Sequence, residues 1–173
     1  MGKYKVYNGP MPTTSAFAPV TTGTSLKTML QIKLGGSTNQ IGKIKAWGIS
    51  FDGNAAATPI KCELLATGTV KATITEFVAA DVINMSDANA GAVTDDFPLA
   101  FTAAGDESGY TATAEGSITA TRPFDIQNVA PTNQYIFQWP LGEEPEFRAD
   151  EYVRIRVHAG AAVNCTCWIE FEI

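Results

Sequence analysis

The sequence predicts an all-β protein, a single antiparallel β-sandwich of the jelly-roll or related Greek-key type with about eight strands. An extended N-terminal arm over residues 1–24 precedes a sandwich domain over 25–173, which carries a long loop excursion at 86–121. Three observations lead there. Apolar and polar residues alternate over short runs, the runs are bounded by turn chemistry (GGSTN at 35–39, DGN at 52–54, AGAA at 159–162), and little of the chain has helical periodicity.

The opening stretch YKVYNGPMPTTSAFAPVTTGTS holds three prolines and two glycines, so it reads as an arm with at most one short edge strand, of the kind that wraps a neighbour. Residues 25–34 alternate, with Leu26, Leu30, Ile32 and Leu34 on one side and Lys27, Met29, Gln31 and Lys33 on the other, which is a half-buried strand. Residues 41–51 form the next strand, with Lys43, Lys45, Trp47, Ile49 and Phe51 on one face and Ile44, Ala46, Gly48 and Ser50 on the other. The small residues of that second face predict close approach of another layer, and Trp47 suits either core or interface. Residues 60–66 follow as a strand through Ile60, Cys62 and Leu64, and residues 76–85 read as a short helix or an irregular strand.

Residues 86–121 are rich in Ala, Gly, Thr and Asp, with Val93, Phe97, Leu99, Phe101, Tyr110 and Ile118 as the larger apolar anchors. This predicts an extended loop or a small hairpin, although TATAEGSITAT at 111–121 also suits a strand. Strand patterning resumes at 124–127, 134–139 and 152–158; in the last, Val153, Ile155 and Val157 face one way and Arg154, Arg156 and His158 the other. PLGEEPEFRAD at 140–150 is too rich in proline and acid for a strand. Residues 165–173 close the sandwich, with Cys165, Cys167, Ile169 and Phe171 on the core face.

At 173 residues the chain fits one domain with a real core, and 45% hydrophobic against 17% charged residues argues against disorder. No apolar run approaches the roughly 18 residues that span a bilayer, and MGKYKVYNGPMPTTS lacks the apolar centre of a secretion signal, so a protein made and kept in the cytoplasm is expected, without membrane association. The three cysteines Cys62, Cys165 and Cys167 leave an odd thiol and are expected to stay reduced. Charge is unevenly spread: residues 1–71 carry eight lysines against Asp52 and Glu63, residues 72–121 carry eight acids and no base, and residues 122–173 carry four arginines against eight acids. Such asymmetry lets a basic region of one subunit face an acidic region of a neighbour.

The chain offers little to chemistry. His158 is its one histidine, the C-x-C pair at Cys165 and Cys167 is not a structural zinc spacing, and no phosphate-cradling loop or nucleophile elbow occurs. Glu143, Glu144 and Glu146 crowd one proline-flanked loop without a facing partner, which suits solvated acids better than a glycosidase pair. Asp87, Asp95, Asp96 and Asp106 lack the spacing of a calcium loop. No catalytic residue, cofactor or metal is therefore expected. The lysines fall on separate strands of an acidic protein, which argues against nucleic acid.

The order of features from Ile44 onward resembles a family of small structural proteins of tailed-bacteriophage virions. The likeness runs through the Ile44/Trp47 spacing, the strand at 60–66, the stretch ATAEGSITAT, Trp139-Pro140, the acidic loop ending in Glu146-Phe147-Arg148, and the close through a Val/Ile strand, an Ala/Gly turn and Phe171-Glu172. It covers about 130 residues. Proteins of this kind are capsid decoration, or cement, proteins: β-sandwiches that clip onto the outer surface of an assembled head, commonly as trimers. The resemblance implies a non-enzymatic virion protein on the capsid surface, with the major capsid protein and its own copies as partners. The long 86–121 segment and the C-x-C final strand depart from the family image.

On that reading the contact residues are Tyr4, Tyr7 and Phe17 of the arm, Lys43 and Lys45, Arg148 of the acidic loop, and Arg154 and Arg156. Charge reversal at the last two is expected to weaken assembly and spare the fold. Two alternatives remain: a tail or neck component, and a carbohydrate-binding module stacking sugars on Trp47, Trp139, Trp168 or Tyr110.

Overall fold

The computed structural model describes residues 2–36, 39–54, 58–86, 99–100 and 107–173. Its strands in chain order are β1 (Lys3–Tyr7), β2 (Val20–Thr21), β3 (Lys27–Ile32), β4 (Ile41–Phe51), β5 (Ile60–Ala66), β6 (Thr73–Glu76) and β7 (Ile83–Asn84). They continue with β8 (Gly109–Ala114), β9 (Arg122–Val129), β10 (Gln134–Gln138), β11 (Glu146–Arg148), β12 (Val153–His158) and β13 (Asn164–Glu172). One sheet runs β10-β4-β13-β1-β7, with β11 also on β4 and β2 also on β13; the other runs β6-β8-β3-β12-β5-β9. Both are antiparallel, and the pairings nest: β1 with β13, β3 with β12, β4 with β10 and β11, β5 with β9, β6 with β8. A long hairpin rolled on itself produces this order, so the expected all-β sandwich is wound as a jelly roll.

The alternation read along the last two strands holds. Val153, Ile155, Val157, Cys165, Cys167, Ile169 and Phe171 are all fully buried between the sheets. The three cysteines are unpaired and buried, and loss of hydration pushes the Cys62 thiol up to about 12 and the Cys167 thiol well up.

On β4 the expected faces are wrong, and one extra residue is the reason. The pairing of β4 with β13 slips between Glu170, opposite Ala46, and Phe171, opposite Ile44, which leaves Lys45 unopposed. This bulge turns Ile44 and Trp47, which a regular strand would place on opposite faces, into the core together. Lys43 and Lys45 consequently point away from Trp47.

Two further expectations are corrected. β1 is no edge arm: it lies between β13 and β7, buries Val6 completely and stacks Tyr4 on Phe171 at 5.7 Å. Beyond it the Asn8 amide donates to Cys165 O (3.0 Å) and its Oδ1 accepts from Cys167 N–H (2.9 Å), extending the ladder with a side chain. The acidic loop contains a strand after all, β11, because Phe147 is driven into the core over Gly42, where a Cβ would come within 2.8 Å of its ring. The excursion at 86–121 contains β8, while its residues 87–98 and 101–106 lie outside the described ones. Residues 76–85 resolve into the end of β6, a 3-10 turn at Ala79–Asp81 and β7.

The fourth correction concerns Arg154, expected at a polar surface and found fully buried. The chain leaving β5 folds back across the outer face of the six-stranded sheet, and residue 115 meets it there. Arg154 donates to the carbonyls of Val70 and Glu115, the latter at 3.0 Å, and lies 3.5 Å from the Glu115 carboxylate. That carboxylate also accepts from Thr28 N–H (2.5 Å) and the Thr28 hydroxyl (2.6 Å). Gln31, buried alongside, accepts from Ala72 N–H and donates to Glu107 O. Burial lowers the Arg154 guanidinium to about 10, with Glu115 opposing the shift.

A buried cation that loses its counter-charge is costly. Glu115→Gln is expected to lower the unfolding free energy by about 3 kcal/mol in a urea titration. Arg154→Glu, which sets a second carboxylate against Glu115, should abolish the cooperative transition rather than merely weaken assembly.

Candidate interaction surface

The side chains expected to make contacts do not converge. Tyr4 faces the core and Arg154 lies under the covering segment, while Arg156 is largely buried and bonds Glu63 at 2.7 Å. Tyr7 lies on the outer face of the seven-stranded sheet, where Phe17 folds back on it at 5.7 Å and Met11, Pro12 and Thr166 complete a small apolar hollow. Arg148 is exposed at the end of β11, and Lys43 reaches Glu146 at 3.4 Å.

The basic half of the chain is partly neutralised within the chain itself. Lys33 bonds Glu107 at 2.6 Å, and Lys45, pushed outward by the bulge, bonds Glu144 and, at 3.3 Å, Glu172. Its ammonium and the Gly142 N–H, which donates at 2.7 Å, hold the Glu144 carboxyl down to about 2. The same bond to Glu144 raises Lys45 above its ordinary value. This pair ties the connection between β10 and β11 to the bulge.

Of the four rings expected to stack sugars, one is fully buried and three are partly exposed. Trp47 is fully buried, and Trp139 and Tyr110 pack against the core. Trp168 points outward, but its indole covers Gly48, where a Cβ would approach to 2.7 Å, and the Lys5 ammonium sits 3.8 Å over the ring. Among the described residues no group of three His, Cys, Asp or Glu side chains could hold a metal.

The surface that sequence reasoning missed is the side of the sandwich where β9 and β10 lie together. Asp125 on β9 joins the two sheets here, accepting from Trp47 Nε1 of β4 (3.0 Å), the Tyr135 hydroxyl of β10 (2.9 Å) and Gln127 Nε2 (2.8 Å). Burial, followed by the bond to Asp125, pushes the Tyr135 phenol up to about 12. Both sheets end on this side, β9 at the edge of one and β10 at the edge of the other. Of the large hydrophobic side chains exposed among the described residues, Ile126 stands on β9, Ile136 and Phe137 on β10 and Leu141 just beyond β10, with Ile136 57% and Leu141 91% exposed, while Ile41 lies with Leu141 in a hollow beside Lys43, Lys45 and Glu172. A signal was present in the sequence: Tyr135, Ile136 and Phe137 are consecutive, so this strand is apolar on both faces.

No protein family, no curated protein and no solved structure matches this chain.

The Lys45–Glu144 pair has a pH signature. A carboxyl whose folded-state value lies below its ordinary 4.5 adds stability that is present above 4.5 and lost as pH falls toward about 2. The melting temperature of the native protein should therefore drop across that window, and Glu144→Gln should flatten the drop when both are followed by circular dichroism.

Proposed function

We propose that the chain is a non-enzymatic virion structural protein, a head decoration protein that binds the outer surface of a tailed-phage capsid, contacts the major capsid protein and stabilises the shell together with its own copies. One observation supports this reading above the others: Ile126, Ile136 and Phe137 are exposed on β9 and β10, strands at which the two sheets end, and Leu141 is exposed just beyond β10. Isolated exposed hydrophobics are ordinary, whereas a row of them beside an open edge marks a surface that a partner covers. The resemblance running from Ile44 to Glu172 is the ground for naming the major capsid protein as the partner in this reading. Many copies on a symmetric shell add weak contacts into strong retention, so no single contact needs a deep pocket.

The test is direct. Purified protein added to shells that lack it should bind to saturation and raise their temperature of dissociation. Leu141→Glu changes a side chain that is 91% exposed, so it should leave the fold intact and weaken shell binding at least about tenfold. Native protein that neither binds nor stabilises such shells overturns the reading.

A further inference from the structure

We infer that β10 is a self-pairing edge, through which two copies of this chain join their seven-stranded sheets about a two-fold axis at Ile136. This deepens the assembly reading above by naming a second copy of the chain as what covers β10.

The backbone carries the argument. β10 pairs with β4 in one unbroken register, Gln134 opposite Ser50 to Gln138 opposite Ala46. At the two ends of that register Asn133 O accepts from Phe51 N–H (3.2 Å) and Trp139 N–H donates to Lys45 O (3.1 Å). In an antiparallel ladder the bonded residues alternate, so Tyr135 and Phe137 bond β4, while the N–H and C=O groups of Gln134, Ile136 and Gln138 point the other way. Among the described residues no strand lies on that side.

The sequence of β10, QYIFQ, reads nearly the same in both directions about Ile136. Antiparallel pairing of two copies on that centre sets Ile136 against Ile136, Gln134 against Gln138 and Tyr135 against Phe137. The facing positions whose backbone groups are free are the ones this register joins, giving about six interchain hydrogen bonds with none left over. Aromatic side chains meet on the inner face, Ile136 and the glutamine amides on the outer, and no charge opposes a like charge.

The other edges are guarded and this one is not. β9 carries Arg122, Pro123 and Asp125, β6 is four residues long and ends in Glu76, and β7 has two residues. β10 has neither charge nor proline. A strand pairing antiparallel with its own copy requires a two-fold axis, so this contact yields a dimer rather than the trimer that the family resemblance implies.

Sedimentation of the protein alone, without shells, tests this. The native chain should run at twice its 18.4 kDa mass, and Ile136→Lys, which sets two ammonium groups face to face on the axis, should run at the single-chain mass with an unchanged circular dichroism spectrum. Should Ile136→Lys unfold, cysteine crosslinking decides the question, because the three native thiols are buried. Ile136→Cys brings two sulfurs together across the axis, with Cα atoms about 5.5 Å apart and within disulfide range. In Gln134→Cys the two thiols lie more than about 13 Å apart. Rapid disulfide formation by the first and not the second is expected. A native chain that is monomeric, an Ile136→Lys protein that keeps the native mass, or equal crosslinking of the two cysteine variants overturns the inference. Shell binding by a monomeric native chain would refute the two-fold pairing and leave the decoration reading standing.

Discussion

The extra residue in β4 organises more of this molecule than any other single feature. β4 is the longest strand and the one on which β13, β10 and β11 all pair. Its bulge at Lys45 lets Ile44 and Trp47 enter the same core, and that choice decides what happens outside. Along its other side β10 takes positions 46–50 and β11 takes positions 41–43, so the two partner strands divide at the bulge. The chain between them must leave the sheet there, and Lys45, pointing out at that place, holds it through Glu144. One local irregularity thus sets the core, splits the edge and fixes the loop that carries Leu141 into solvent.

Two polar groups, one fully buried and one partly, do for the layers what the bulge does for the edge. Asp125 joins β9 to both β4 and β10, so the two sheets end in step on one side. Arg154 binds the segment after β5 and residue 115 to the outer face of the other sheet, which converts a two-layer sandwich into a locally three-layered one. Arg154 reaches partners 39 and 84 residues away in sequence, and Asp125 reaches Trp47, 78 residues away. A hydrophobic replacement at Arg154 would leave the Val70 and Glu115 carbonyls without a donor, and one at Asp125 would leave the Trp47 indole N–H and the Tyr135 hydroxyl without an acceptor.

What the sequence revealed follows from how local each determinant is. Alternation in β12 and β13 was legible because period-two patterning in a core strand depends only on neighbours. The faces of β4 were not, since a bulge shifts the parity without a compositional mark, and Lys45 reads like any strand residue. β1 was hidden by the prolines that follow it, although Val6 between Tyr4 and Tyr7 pairs with a strand some 160 residues away. Arg154 looked like surface because the segment that covers it, rich in Thr, Gly and Ala, carries no apolar signal of its own. The edge was half-legible: three consecutive large apolar residues announce a strand with two apolar faces, but only the topology shows that one of its backbone rows is left open.

Sheet edges are dangerous to an isolated protein, and chains protect them by shortness, charge, proline or cover. This chain uses shortness at β7, shortness and charge at β6, and charge with proline at β9, so the absence of any such device at β10 is a contrast within one molecule rather than a general carelessness. Asp125 ties this strand to the opposite sheet, accepting from Tyr135 of β10 and from Trp47 of the neighbouring β4. A held, uncharged edge with exposed Ile136 on one face and half-exposed Phe137 on the other has the character of a surface kept ready for a partner. That edge is where the physical arguments for a role in assembly meet.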